Sequence, residues 1–224
     1  MQACILFFIC TGTDMITIIK QKPAAEFISV ELESGEILKI PHQVAGLYRL
    51  EAGQELDQAE YSQLKAESQR FRCRKTALDY LAICPRSLME MERYLGKKGF
   101  DHDLIREITA GLSEAGYIDD ADYAARYIGN RLEKKLVGKQ LLASELQKRG
   151  VHRDIIRQAL KESAALEDSF DDVYAAALKK WQTVKDRKNG PAKLAYFLRG
   201  RGFDGEMITS VLERIRREER EEQE

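Results

Sequence analysis

Three aspartates close together in the chain, Asp119, Asp120 and Asp122, are the residues best suited by type and spacing to do chemistry. Clustered carboxylates can ligate divalent metal ions or work as a general acid and base. The sequence shows no partner ligands for them, and the simpler interpretation is that one aspartate caps the helix that carries Tyr123 and Tyr127. We therefore expect a helix N-terminus here and no metal site.

A glycine-rich segment at residues 200–205, GRGFDG, matches the G-x-G-x-x-G pattern of dinucleotide-binding loops. In those proteins the loop follows a β-strand inside a βαβ unit. Here it follows a helical pattern that ends at Leu198, which favours a turn between two helices. The chain also lacks the P-loop, H-E-x-x-H and G-x-S-x-G patterns. We expect no catalytic residues and no cofactor, and hence no enzyme.

The cysteines and histidines do not form a metal-binding pattern. The cysteines lack C-x-x-C spacing, and no histidine lies near them in the sequence: Cys4, Cys10, Cys73 and Cys84; His42, His102 and His152. A structural zinc site needs four such ligands at short spacings. Four cysteines in a chain of this size are compatible with free thiols in a reducing compartment. We therefore expect a cytoplasmic protein.

The N-terminal residues 3–10 form an apolar run that is too short to span a bilayer and has no Lys or Arg before it. This argues against a membrane span and against a secretory signal. Met15 then opens a strand-like stretch, which indicates that translation starts there and that residues 1–14 are a non-native or disordered extension. The alternative is a short extra strand or a buried N-terminal arm.

Residues 15–70 are predicted to form a small β-rich segment that ends in a helix. Apolar runs through residues 15–50 indicate β structure. Ser34 and Gly35 separate two of these runs, so a β-hairpin is expected around them. Asp57 is suited to cap a helix through Tyr61 and Leu64. The segment is acidic, since residues 1–70 hold 6 basic and 10 acidic side chains.

From about residue 71 the chain contains an internal repeat of 51–52 residues, marked by Gly99, Gly150 and Gly202. Apolar residues recur at fixed offsets from these glycines: Met91, Leu142 and Leu194 before them, and Ile105, Ile156 and Ile208 after them. Each glycine is expected to end a helix in the left-handed conformation, which glycine adopts without a Cβ penalty. A second column is predicted to cap the N-termini of the same helices: Ser87, Gly138 and Gly190.

Each repeat unit is interpreted as a module of three helices. Such units bury their apolar faces by stacking, so the predicted fold is mainly α, with three three-helix modules in an elongated curved array behind the hairpin-containing segment. The predicted modules are residues 71–118, 119–170 and 171–212. Residues 213–224, rich in Glu and Arg, are expected to be a charged tail in which the last helix frays into disorder.

The net charge of −1 conceals two basic stretches, residues 126–161 and 179–201, each with a net charge of +7. On adjacent modules they could join into a basic stripe for phosphates or an acidic protein surface. The alternative is a solvated helix face. The candidate partner- or DNA-binding residues are Arg126, Arg131, Lys134, Lys135, Lys139, Lys148, Arg149, Lys179, Lys180, Lys193, Arg199 and Arg201.

Several motifs in the repeat region, in the same order, make the chain resemble the RecX family of bacterial regulatory proteins, which modulate the RecA recombinase. The resemblance covers about residues 72–212, and Gly53-Gln54-Glu55-Leu56 is similar to the N-terminal extension of some members. Cys84-Pro85 stands where the family often has an Arg, and residues 1–14 have no family counterpart. The matching motifs are Ala77-Leu78-Asp79-Tyr80-Leu81, Arg86-Ser87-x-x-Glu90-Met91, Gly116-Tyr117-Ile118-Asp119-Asp120-x-x-Tyr123-Ala124, Gly138, and Leu146-x-Lys148-Arg149-Gly150-Val151.

The resemblance implies a non-enzymatic protein that binds RecA, lies along the groove of the RecA–DNA filament and restrains its recombinase and ATPase activity. It also implies weak direct DNA binding, and we expect a monomer without membrane contact. A second interpretation is an independent DNA-binding repeat protein in which each module inserts a helix as helix-turn-helix proteins do. Binding to DNA without RecA, titrated with salt, distinguishes the two.

Overall fold

The computed structural model describes residues 15–134, 136–163, 170–185 and 187–221, and the backbone alone of Lys134. The predicted extension at residues 1–14 and the candidate Lys135 lie outside the described residues, as does the side chain of the candidate Lys134.

The N-terminal strands form one antiparallel sheet in the order β3-β2-β1-β4. Its strands are β1 (Ile16–Pro23), β2 (Phe27–Leu32), β3 (Ile37–Pro41) and the short β4 (Glu55–Leu56). The predicted hairpin is confirmed, because β2 pairs with β3 across the turn in which Gly35 has a φ of +82°. Alternating apolar side chains of the strands, including Ile18, Val30 and Ile40, are buried together.

The expectation of β structure throughout residues 15–50 is wrong at its C-terminal end, where α1 (His42–Tyr48) is helical. Val44 and Ala45 lie on the face of this helix that is buried in the core of the sheet. The helix ends at Arg49, whose φ of +48° is left-handed. The apolar residues of so short a segment fit both the two-residue period of a strand and the 3.6-residue period of a helix. The burial of Val44 and Ala45 against the sheet favours the helix.

The helix predicted after Asp57 is confirmed and is longer than expected. Asp57 and Glu60 form a capping box at the start of α2 (Gln58–Leu81), with a hydrogen bond of 2.7 Å from Glu60 N to Asp57 Oδ1. The helix continues through the proposed boundary between residues 70 and 71, because residues 58–81 contain neither Gly nor Pro to end it. The β segment and the first module therefore share one helix.

The remaining helices confirm the tandem three-helix pattern. Gly99, Gly150 and Gly202 have φ angles of +83°, +87° and +86° after the second helix of each triplet, as the repeat predicts. The bounds are α3 (Leu88–Lys97), α4 (His102–Glu114), α5 (Asp120–Lys134), α6 (Lys139–Lys148), α7 (Arg153–Glu162), α8 (Phe170–Trp181), α9 (Gly190–Gly200) and α10 (Gly205–Glu221).

Two of the three predicted N-caps are confirmed. Ser87 exchanges hydrogen bonds with Glu90 at the start of α3, and Gly138 precedes α6 in an extended conformation. At α9 the cap is Asn189, and Gly190 is the first helical residue. Asn189 has a φ of +63°, a conformation that asparagine tolerates better than most residues.

The expected fraying of the C-terminal tail is not found up to Glu221, the last described residue. Arg214 pairs with Asp171 at 3.2 Å, and the indole of Trp181 donates to Glu219 at 2.7 Å. The phenol of Tyr174 also donates to Glu218. These contacts hold the charged end of α10 against α8, a tertiary effect that composition does not reveal.

The described residues fall into two compact units, 15–82 with 95–108, and 83–94 with 109–221. The first unit has its core beneath the sheet, around Ile18, Val30 and Leu64. The second unit contains one core among α5, α6 and α7 and another among α8, α9 and α10. Residues of the first predicted module occur in both units, and the boundaries of the three modules stay predictions.

Candidate partner-binding surface

Within the second unit, the start of α6 is joined to the turn between α9 and α10. The backbone N–H of Gly138 donates to the carbonyl of Arg201 at 2.8 Å, and that of Gln140 donates to the carbonyl of Gly202 at 3.2 Å. The backbones approach so closely that a Cβ on Gly138 would lie 2.2 Å from the Gly202 oxygen. The glycine-rich segment 200–205 is therefore a helix–helix turn that accepts hydrogen bonds from two backbone amides at the start of α6.

The start of α3 makes the equivalent contact with the turn between α6 and α7. Ser87 occupies the position of Gly138 in the repeat, and its Oγ donates to the carbonyl of Arg149 at 2.5 Å. Gly150 lies against Met89, which a Cβ would approach to 2.3 Å. We call these two contacts the joints of the repeat, since each connects a helix start to the turn of the following module.

Arg149 reinforces the first joint with its side chain. Its guanidinium donates to Glu90 at 2.6 Å and to the phenol oxygen of Tyr123 at 3.1 Å, and lies 4.8 Å from the centre of the Tyr127 ring. Glu90 keeps only 18% of its side-chain surface exposed. Charge-assisted hydrogen bonds and a cation–π contact therefore place this arginine within the fold.

Arg131 also forms an ion pair within the second unit. Its guanidinium donates to both carboxylate oxygens of Glu145, at 2.9 and 2.7 Å, and the Tyr127 hydroxyl donates to the same carboxylate at 2.9 Å. Burial alone would raise the pKa of Glu145, but these hydrogen bonds outweigh it and lower the pKa below its usual value. The ion pair links α5 to α6.

Tyr123 makes the stability of this unit sensitive to alkali. Burial, reinforced by the Glu90 carboxylate, raises the pKa of Tyr123 to about 12. An unfolded tyrosine titrates at about 10, so between these two pKa values only the unfolded chain releases the proton, and stability falls as pH rises. We expect Tyr123→Phe to reduce the slope of the denaturation midpoint against pH between about 10 and 12. Equal slopes for the two proteins would contradict this.

The acidic cluster caps a helix, as the sequence indicates. The Oδ1 of Asp119 accepts from the backbone N–H groups of Ala121 and Asp122, at 2.8 and 3.1 Å. Asp120 reaches the start of α3, where its Oδ1 accepts from Leu88 N at 2.9 Å. Burial raises the pKa of Asp120. The cluster thus serves both the start of α5 and the first joint.

Some of the candidate cations of the second module form ion pairs within the protein. Arg131 and Arg149 are bound inside the unit, and Arg126 pairs with Asp122 at 2.7 Å on its surface. Lys139 and Lys148 are exposed and have no ion pair among the described residues. In its described part, the predicted basic stretch of residues 126–161 therefore contains both ion-paired arginines and unpaired lysines.

The candidate cations of the third module lie on α8, α9 and the turn that follows α9. The Nζ of Lys180 and the guanidinium of Arg201 lie 5.6 and 4.7 Å from the centre of the Phe197 ring. Within the described ranges none of these cations has an ion pair with a carboxylate. We call the set the α8–α9 basic surface: Lys179, Lys180, Lys193, Arg199 and Arg201.

Tyr196 belongs to the same surface and was not among the predicted residues. Its side chain points away from the core and is 78% exposed, between Lys193 and Arg199 on the outer face of α9. The signal was present in the sequence, since a tyrosine with cations three residues before and after it lies between them on a helix. The positions of the basic residues alone do not reveal it.

The fold defines a class of protein: a repeat of three-helix modules, of which the third carries the α8–α9 basic surface. Two family models match the chain, "RecX, first three-helix domain" at residues 73–110 and "RecX, second three-helix domain" at residues 119–160. The regulatory protein RecX of Prosthecochloris aestuarii is 33% identical over 140 residues, covering 62% of this chain and 90% of that protein. The chain belongs to the RecX family of regulatory proteins.

Further relatives cover more of the chain. The regulatory protein RecX of a Geobacillus species is 28% identical over 217 residues, 93% of this chain and 78% of that protein. A crystal structure of a regulatory protein RecX matches with a TM-score of 0.67 at 20% identity, covering 88% of this chain and 98% of that one. RecX from Lactobacillus salivarius matches with a TM-score of 0.57 at 23% identity, covering 65% and 96%. These two structures support the fold.

In the ranges that the structure describes, no helix has the length and apolar character needed to cross a membrane.

Proposed function

We propose that this protein regulates the RecA recombinase by binding RecA and the RecA–DNA filament, and that it inhibits recombinase and ATPase activity. Membership of the RecX family supports the regulatory role. The α8–α9 basic surface carries the proposal of a filament contact, because its cations are not used by carboxylates of the described chain. The protein acts by binding and catalyses no reaction, and we propose that it works in the cytoplasm as a monomer.

The proposed contact is between the α8–α9 basic surface and the phosphates of DNA in the filament. Free cations release counterions from a polyanion when they bind, whereas cations already paired within the protein contribute less. Lys193 and Arg199 are the most direct candidates, since both are exposed on α9 and this helix contains no acidic residue. Arg131 and Arg149 are assigned to the fold and removed from the proposed contact.

The test is the double variant Lys193→Glu/Arg199→Glu, assayed by ATP hydrolysis of the cognate RecA on single-stranded DNA. We expect the concentration for half-inhibition to rise by about tenfold or more, because two phosphate contacts become repulsive. The matched control is Arg153→Glu/Arg157→Glu, which makes the same charge change on exposed residues of α7. Equal inhibition by all three proteins would remove the assignment of this surface.

The independent helix-turn-helix interpretation makes a different prediction. Tight, sequence-specific binding to duplex DNA without RecA at physiological salt would favour it. Weak binding with a steep dependence on salt would favour the RecA-directed proposal, because phosphate contacts dominate non-specific affinity.

A further inference from the structure

The outer face of α9 exposes the aromatic ring of Tyr196, which does not pack against the core of the third module. Leu194 and Leu198 are fully buried and face the core of the third module, and Tyr196 lies on the opposite side of the helix. Within the described part of the chain, no hydrogen bond or ring contact involves Tyr196. A side chain that is 78% exposed contributes little to folding, so its packing surface is available to a partner.

The neighbouring ring shows the contrast. Phe197 follows Tyr196 directly, but Lys180 and Arg201 lie over it at 5.6 and 4.7 Å from its centre. Phe197 also packs against the core of the third module and is half-buried. Tyr196 remains exposed between Lys193 and Arg199.

The spacing of the exposed residues suits a nucleic-acid strand. Lys193 and Arg199 lie three residues before and after Tyr196, so their side chains flank the ring on both sides. Six residues of helix separate their Cα atoms by about 9 Å along the axis, within reach of phosphates on either side of one base. These three side chains lie on one helix, and the buried Leu194 and Leu198 fix that helix to the core of the third module.

We propose that Tyr196 stacks on an unpaired base of single-stranded DNA while Lys193 and Arg199 contact the flanking phosphates. An aromatic ring stacks on any base whose face is free, whereas in a duplex those faces are covered by neighbouring base pairs. The ring therefore selects single strands, and the cations alone would bind both forms. This inference rests on the proposed DNA contact of the α8–α9 basic surface and adds the preference for unpaired bases.

The experiment measures binding without RecA, by fluorescence anisotropy of a labelled oligothymidylate and of a labelled duplex of equal length. We expect Tyr196→Ala to weaken binding of the single strand by about tenfold, with the salt dependence unchanged, because one stacking contact is lost and no phosphate contact. Duplex affinity should not change. Tyr196→Phe should retain full affinity, since the ring is kept.

Tyr117→Ala is the matched control, because Tyr117 is also exposed, at 58%, but precedes Asp119 and Asp120 and has no cation beside it. It should bind both probes as the parent does. Equal single-strand affinity of Tyr196→Ala and the parent overturns the stacking role, as does an equal loss on both probes. No binding of the single strand by the parent overturns it as well.

The RecA assay separates this inference from the proposed function. If Lys193→Glu/Arg199→Glu loses both inhibition and DNA binding while Tyr196→Ala matches the parent in both, only the stacking role fails. If the charge variants still inhibit RecA fully, the DNA contact of the α8–α9 basic surface fails, whatever Tyr196 does. Circular dichroism of each variant should match the parent, since the altered side chains are exposed.

Discussion

Gly202→Ala should lower the free energy of unfolding of the second unit by about 2–5 kcal/mol, the sum of a left-handed backbone penalty and overpacking. Gly202 has a φ of +86°, a conformation that costs alanine energy at any site. In addition, the new Cβ would lie 2.3 Å from the backbone nitrogen of Leu141. Because that neighbour is the backbone of α6, it cannot rotate away, and the second joint must open. Urea denaturation followed by circular dichroism measures the change.

Gly116→Ala is the control for this prediction, because Gly116 lies in the same unit with a φ of +75° but has nothing within 4 Å of the place that a Cβ would take. It should cost only the backbone penalty, about 1–2 kcal/mol. The difference between the two variants then measures the close approach at the joint. Equal losses would show that the joint contributes nothing beyond its backbone conformation.

Arg149→Ala should destabilise the second unit by about 2–4 kcal/mol, because it leaves the Glu90 carboxylate largely buried without its cation. The variant removes the 2.6 Å ion pair, the hydrogen bond to Tyr123 and the contact with the Tyr127 ring together. The value is set below that of a fully buried pair because Arg149 keeps 40% of its side chain exposed. The denaturation midpoint gives the measurement.

A comparison with Arg157→Ala controls for the loss of an arginine. Arg157 pairs with Asp154 at 3.0 Å, but both side chains are mostly exposed, so we expect a loss below about 1 kcal/mol. The variant Glu90→Gln combined with Arg149→Ala should recover part of the stability, since no buried charge is then left unpaired. If Arg149→Ala were as mild as Arg157→Ala, the guanidinium network would not stabilise the joint.

The repeat could be predicted because its main signals are local. A glycine that ends a helix and a serine that starts one act through their own backbone angles and nearest hydrogen bonds. Gly99, Gly150 and Gly202 therefore appear where the repeat places them, and so does the cap at Ser87. The hairpin around Gly35 follows from the same kind of local rule.

What the sequence could not supply are contacts between distant residues. Helix α1 and the ordered end of α10 depend on surfaces contributed by other elements. The candidate cations show this most clearly, since Arg131 and Arg149 are recruited by Glu145 and Glu90, which are 14 and 59 residues away. The net charge of a stretch does not distinguish such arginines from the cations of α9, which are unpaired in the described part of the chain. The distinction requires the distances to carboxylates elsewhere in the fold.

The two joints also determine which modules can follow one another. The first uses the hydroxyl of Ser87, and the second has no room for any side chain at Gly138, where a Cβ would meet the Gly202 oxygen at 2.2 Å. Exchanging α3 and α6 together with their N-cap residues would place a serine at position 138, where only glycine fits. The modules are similar in sequence but cannot be exchanged, because the residue before the second helix differs. Ser87 suits only the first joint and Gly138 only the second.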